Sequence, residues 1–103
     1  MFVAMNRFQV DPGRSEDFER GWRERESRLQ EMAGFRSFAL LKGDTPGDYI
    51  SHSTWDSRDA FQAWTRSEQF RHAHSRGPAE GVLVGHPQAA FYEAVLTEEN
   101  AAN

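Results

Sequence analysis

Apolar residues recur at strand spacing in four short stretches and at helical spacing in two longer ones, in the order strand, helix, strand, strand, helix, strand. That order matches the split βαβ, or ferredoxin-like, arrangement, an α+β fold in which helices cover one face of an antiparallel sheet. The first strand spans residues 2 to 10. Phe2, Ala4, Asn6, Phe8 and Val10 share one face of it, and Val3, Met5, Arg7 and Gln9 the other. After an Asp11-Pro12-Gly13 turn, Ser15 suits the N-cap of a helix reaching about Met32, with Phe18, Trp22, Leu29 and Met32 as its buried stripe. Phe35 to Leu41 and Tyr49 to Trp55 read as strands joined by a Gly- and Pro-containing loop. Asp56 or Ser57 then begins a second helix carrying Phe61 and Trp64, interrupted near Ser67 and resuming through Phe70 to His74. Residues 75 to 87, with three Gly and two Pro, form a long loop and a candidate binding element, and residues 88 to 96 give the last strand.

Residues 1 to 96 are therefore expected to form one domain, with 97 to 103 as a flexible C-terminal tail. Helices cover only one face of such a sheet. On the other, Val3 and Met5, with either Phe35, Ala39 and Leu41 or Phe38 and Leu40 from the second strand, leave apolar area. Two copies closing sheet to sheet into a dimeric α+β barrel would bury it.

The absence of cysteine excludes disulfides, thiolate metal sites and thiol nucleophiles. The first ten residues lack the features of a signal peptide and no segment is long and apolar enough to span a bilayer, so the expectation is a cytoplasmic protein with no membrane partner. A net charge of −4 with interspersed signs argues against nucleic acid.

Four histidines stand at 52, 72, 74 and 86, without the HxxxH or HExxH spacing of a helical zinc site. His72 and His74 lie about 200° apart on a helix, so one ligand cannot readily use both. His74 shares a face with Phe70, which favours it as the inward-pointing residue. It is either a ligand to a bound group or an imidazole hydrogen-bonded to backbone. Asn6, central on the more apolar face of the first strand, is either a partner to neighbouring backbone or an amide donor aimed into a pocket. Trp64 is either core or pocket wall. A straight helix would separate Trp64 from His74 by about 15 Å, so a ligand touching both must be broad, or the helix must bend near Arg66-Ser67. Arg66, Arg71 and Arg76 cluster around His74 in sequence, a pattern also typical of solvated surface.

The strand carrying Asn6, the segment GFRSFALLKG at 34 to 43, the run STWDSRDAFQAWTRSEQFRHAH at 53 to 74 and the final AAFYEAVL together resemble the Isd-type haem-degrading monooxygenases of the antibiotic biosynthesis monooxygenase superfamily. The resemblance implies that His74 is the proximal ligand to haem iron, that Asn6 is the distal amide and that Trp64 presses on the porphyrin. It further implies oxidative ring opening with O₂ and electrons from an external donor, such as a reductase, with iron released and haem serving as cofactor and substrate. A cofactor-free monooxygenase acting on a quinol or polyketide, and a non-catalytic haem-binding protein, are the competing readings of the same fold.

Overall fold

The computed structural model describes residues 1–73 and 81–100 of the 103-residue chain. Its elements are β1 (Phe2–Gln9), α1 (Ser15–Glu24), β2 (Phe35–Lys42), β3 (Asp48–Trp55), α2 (Arg58–Thr65), α3 (Glu68–Ala73) and β4 (Gln88–Glu93). The strands form one antiparallel sheet in the order β2-β3-β1-β4, the ferredoxin-like α+β topology expected from the sequence.

Both helical segments lie on the same side of the sheet. Phe8 of β1 meets Phe18 and Trp22 of α1, and Phe2 meets Phe61 of α2. The helix-facing side of the sheet is therefore the one bearing Phe2, Ala4, Asn6 and Phe8. Cross-strand pairing adds Trp55, Ser53, Ser51 and Tyr49 from β3 to that side. On β2 a register shift between Phe35 and Ser37 turns Phe35 to this side together with Phe38 and Leu40, leaving Ala39 and Leu41 opposite. Neither of the two alternatives read from the sequence describes β2, because strict alternation carries no bulge.

α1 is shorter than its apolar spacing suggests. It ends at Glu24, and Arg25 is extended at φ −67°, ψ 144°, with its guanidinium 4.7 Å from the ring centres of both Trp22 and Phe38. That stack ties the side chain to a second element, and a 3-10 turn at Leu29–Glu31 returns Leu29 to the core. Ser15 is the first helical residue and not the cap. Asp11 instead caps the preceding 3-10 turn by accepting from the Gly13 N–H at 3.0 Å. Of the two i, i+4 ion pairs that the residues of α1 allow, Glu19 with Arg23 forms, at 3.0 Å, whereas Arg20 pairs with Asp17 in place of Glu16.

Within the stretch read as a long loop, Leu83 pairs with Val10, Val82 is buried, and the Val84 N–H donates to the Gln9 carbonyl at 2.8 Å. This part is thus an extension of the sheet. β4 ends at Glu93, earlier than expected, and residues 94–100 carry no helix or strand.

Gly47 shows how tightly this end of the sheet is closed. Its φ is +85°, its carbonyl accepts from the Val10 N–H at 2.8 Å, and a Cβ there would lie 2.2 Å from the Val10 carbonyl oxygen. Gly21, exposed on α1, has open space around it. We predict that Gly47→Ala destabilises the fold by more than about 1 kcal/mol, whereas Gly21→Ala stabilises it by about 0.5–1 kcal/mol. Equal melting temperatures for the two variants would contradict the assigned turn.

Candidate functional site

Side chains on the helix-facing side of the sheet separate into two aromatic clusters. Phe2, Ala4, Leu29 and Trp55 form one, with Phe61 and Trp64 packed against it. Val10, Phe18, Tyr49 and Val82 form the other, with Phe8 and Trp22. Among the described residues, Trp22 with Phe38 is the one ring pair that joins them, at 5.5 Å on the β2 side. Between the clusters the two central strands carry the small residues Ser51, Ser53 and Ala4 around Asn6, with larger side chains towards the edges. One cross-strand row reads Leu40, Ser51, Asn6, Ala89 and the next Phe38, Ser53, Ala4, Phe91.

Asn6 stands in the middle of this floor. It is half-buried, belongs to neither cluster, and its side chain makes no hydrogen bond to any described residue. Period-two alternation puts an amide where the flanking rows put Ala4 and Phe8. The reading of Asn6 as a partner to neighbouring backbone therefore finds no support. Ser53, one row away, is engaged differently: its Oγ accepts from the Trp55 indole N–H at 3.0 Å and reaches the Ala4 carbonyl at 3.5 Å.

Trp64 is half-buried at the end of α2, 5.5 Å from Trp55, 6.0 Å from Phe61 and edge-on to Phe70 at 4.8 Å. Here the core reading of Trp64 has direct support, and the exposed remainder of the side chain is what a pocket can use. The helix breaks between Trp64 and Phe70, as the Ser67 signal suggests. Ser67 Oγ donates to the Trp64 carbonyl at 2.6 Å and accepts from the Phe70 N–H at 3.1 Å, so it ends one helix and caps the next. His74, which follows α3, and the side chain of His72 lie outside the described residues. Trp55 pairs with Phe2, four residues from Asn6 along β1, or about 13 Å at the strand rise. A group touching both the Trp64 region and Asn6 must be broad, and aromatic walls over a floor of small residues suit a flat, largely apolar ligand.

Arg25 is a residue that helical periodicity does not single out. Its guanidinium caps the Trp22–Phe38 junction, has no carboxylate partner among the described residues, and is held below its usual pKa by burial. A half-buried, unpaired guanidinium beside an apolar gap is suited to an anionic substituent of a bound molecule. Among the described residues no cluster of His, Asp or Glu could hold a bare metal ion.

The model for the family described as "Antibiotic biosynthesis monooxygenase" matches residues 1–76, which include Asn6, Trp64 and His74. The chain belongs to the antibiotic biosynthesis monooxygenase family. It is 32% identical over 81 residues to a staphylobilin-producing haem oxygenase from Staphylococcus saprophyticus, covering 72% of this chain and 73% of that protein. It is 30% identical over 87 residues to a mycobilin-producing haem oxygenase from Mycobacterium tuberculosis, covering 82% and 71% respectively. The solved structure of the haem-degrader MhuD from the same organism, with two haems bound in its active site, superposes with a TM-score of 0.77 at 27% identity, covering 96% of this chain and all of that one. These antibiotic biosynthesis monooxygenase relatives degrade haem, and their likeness to this chain extends over the sheet and helices that bound the gap.

On the β2 side of the gap a polar network closes the groove of about 290 Å³ lined by Trp22, Phe38, Leu40 and Tyr49. The buried Tyr49 donates its hydroxyl to the Glu19 carboxylate, which also pairs with Lys42 at 3.3 Å and Arg23 at 3.0 Å. The Tyr49 hydrogen bond, then Lys42, holds the Glu19 carboxyl below its ordinary range. Burial, then Glu19, pushes the Tyr49 phenol up. Because the folded pKa of Glu19 is depressed, its contribution to stability is present above the ordinary carboxylate range and is lost as pH falls through the folded value. We predict that Glu19→Gln is less stable than the parent at neutral pH and that the difference shrinks towards zero in acid, measured by urea unfolding across a pH series. A difference independent of pH would contradict the ionised network.

Proposed function

We propose that this chain is a haem-degrading monooxygenase that binds haem between its two aromatic clusters and opens the porphyrin ring oxidatively with O₂ and electrons from an external donor, releasing iron. The observation that carries the reading is Asn6, a half-buried side-chain amide without a hydrogen-bond partner among the described residues, set with Ser51 and Ala4 between two aromatic clusters. The relatives named above supply the substrate class. Haem, when bound, supplies the iron at which oxygen is activated.

The chain's own residues then divide the work. His74, which follows α3 in the chain, is assigned as the residue whose imidazole would hold the haem iron. Asn6 is assigned as the amide that would donate a hydrogen bond to a small ligand bound with the haem, where a fixed donor counts for more than in water. Trp64 is anchored by Trp55, Phe61 and Phe70, so the part of its ring that reaches the gap cannot readily yield. We assign it the role of a firm pocket wall against which a bound porphyrin would press. Arg25 supplies a counter-charge to a haem carboxylate. The electron donor is assigned as a separate reductase, and the setting as the cytoplasm.

The second face of the sheet bears Val3, Met5, Ile50, Ala39, Leu41 and Tyr92, with Leu41 43% and Tyr92 54% exposed. We assign this face to a second copy of the chain, which makes the active protein a homodimer. Light scattering at micromolar concentration is expected to give twice the chain mass, and a monomer would remove the assignment.

His74→Ala is expected to abolish five-coordinate haem binding, while His72→Ala leaves the Soret band nearly unchanged and circular dichroism stays at the parental level in both. Asn6→Ala should bind hemin within about tenfold of the parent, since one amide hydrogen bond contributes on the order of 1 kcal/mol, yet degrade it far more slowly. Trp64→Ala should retain haem but react slowly or open the ring at a different meso position, with Trp64→Phe between it and the parent. Hemin titration, single-turnover decay of the Soret band and mass spectrometry of the products check these outcomes. If Asn6→Ala and Trp64→Ala both degrade haem at the parental rate to the parental product, the assignment of these two residues is wrong.

A further inference from the structure

Asn6 has a companion. The β1–β3 register sets Ser51 directly across from it on the helix-facing side, and directly opposed residues in an antiparallel pair hold their Cβ atoms about 4.5–5.5 Å apart. Ser51 is half-buried and its hydroxyl, like the Asn6 amide, makes no hydrogen bond to any described residue. The rest of the floor shows that this is no general property of its polar residues: Ser53 has both its bonds, to Trp55 and to the Ala4 carbonyl. Apolar side chains flank the pair on both sides, Leu40 on β2 and Ala89 on β4. Among the described residues no unpartnered side-chain polar atom is fully buried, so the amide and the hydroxyl are both open to water, and a ligand that displaces that water must meet the two together.

We propose that Ser51 is a second hydrogen-bonding residue of the distal pocket, its hydroxyl donating to the same small ligand that Asn6 contacts. This inference rests on the haem reading above and adds a residue to it. A single amide fixes distance but leaves its partner free to swing about one bond. A second donor about 5 Å away on a rigid neighbouring strand fixes direction as well, and direction decides which porphyrin carbon the ligand faces. The hydroxyl is thereby a positioning and specificity group. It acts little on haem affinity, to which one neutral hydrogen bond adds on the order of 1 kcal/mol.

The test compares Ser51→Thr with Ser51→Val, two variants of nearly equal shape of which only the first keeps a hydroxyl. The full-length protein is loaded with hemin, reduced and exposed to carbon monoxide, and the C–O stretching frequency is read in H₂O and D₂O. A donor to the bound ligand lowers that frequency. Ser51→Val is therefore expected to raise it and to lose its D₂O sensitivity in part, Asn6→Ala to raise it independently, and Ser51→Thr to restore the parental value. Hemin affinity should stay within about tenfold throughout. The distribution of ring-opened products should broaden in Ser51→Val and recover in Ser51→Thr. Identical stretching frequencies and isotope responses in the parent, Ser51→Thr and Ser51→Val would overturn the role of Ser51 while leaving haem binding intact. Failure of the parent itself to bind hemin would remove the underlying reading and this inference with it.

Discussion

The placement of β1 between β3 and β4 is the constraint on which the rest of the molecule depends. As a central strand it pairs on both edges, so its register is fixed twice and its alternation cannot slip without turning Phe2 and Phe8 out of the core. With that register locked, bulky residues stand at both ends of its helix-facing side and Ala4 and Asn6 in between. α1 packs on one end and α2 on the other. The gap over Asn6 is thus a consequence of where large and small side chains fall along a single strand. No separate scaffold is needed to make it.

A site built this way divides its precision from its adaptability. Asn6 and Ser51 ride on paired strands, where the backbone is held by ladder hydrogen bonds on both sides. Trp64 rides on a helix end that Ser67 terminates and recaps, with Phe70 packed edge-on across the break. The helix is thus interrupted between Trp64 and Phe70, where a single straight helix would have set Trp64 and His74 about 15 Å apart.

Much of the fold was legible in the residues because the strand and helix periods are clean and the turn chemistry agrees with them. Asn6 was conspicuous as the one amide on the more apolar face of β1, and Ser67 as a break inside a helical pattern. What escaped detection depended on contacts between elements distant in sequence. α1 stops at Glu24, and Arg25 stacks on Phe38 of β2 as well as on Trp22, a partner that no local propensity encodes. The β2 bulge places Phe35 with Phe38 and Leu40, which strict alternation forbids. Ser51 drew no notice because serine in a strand is ordinary. It becomes distinctive only once the register sets it against Asn6. Trp64 was placed correctly on its helix, but its anchoring by Trp55 and Phe70 emerges only from the packing.

The central claim is that the gap above Asn6 receives haem and that the protein turns it over. The most direct measurement mixes the purified parent with one equivalent of hemin in air, adds a reductant such as ascorbate together with catalase, and follows the Soret band while iron is trapped by a chelator. Haem turnover by the protein requires a shifted, saturable Soret band that decays on reduction as chelated iron and a ring-opened tetrapyrrole appear, insensitive to catalase. A Soret band that forms and persists under reductant, or one whose loss catalase abolishes, would contradict it.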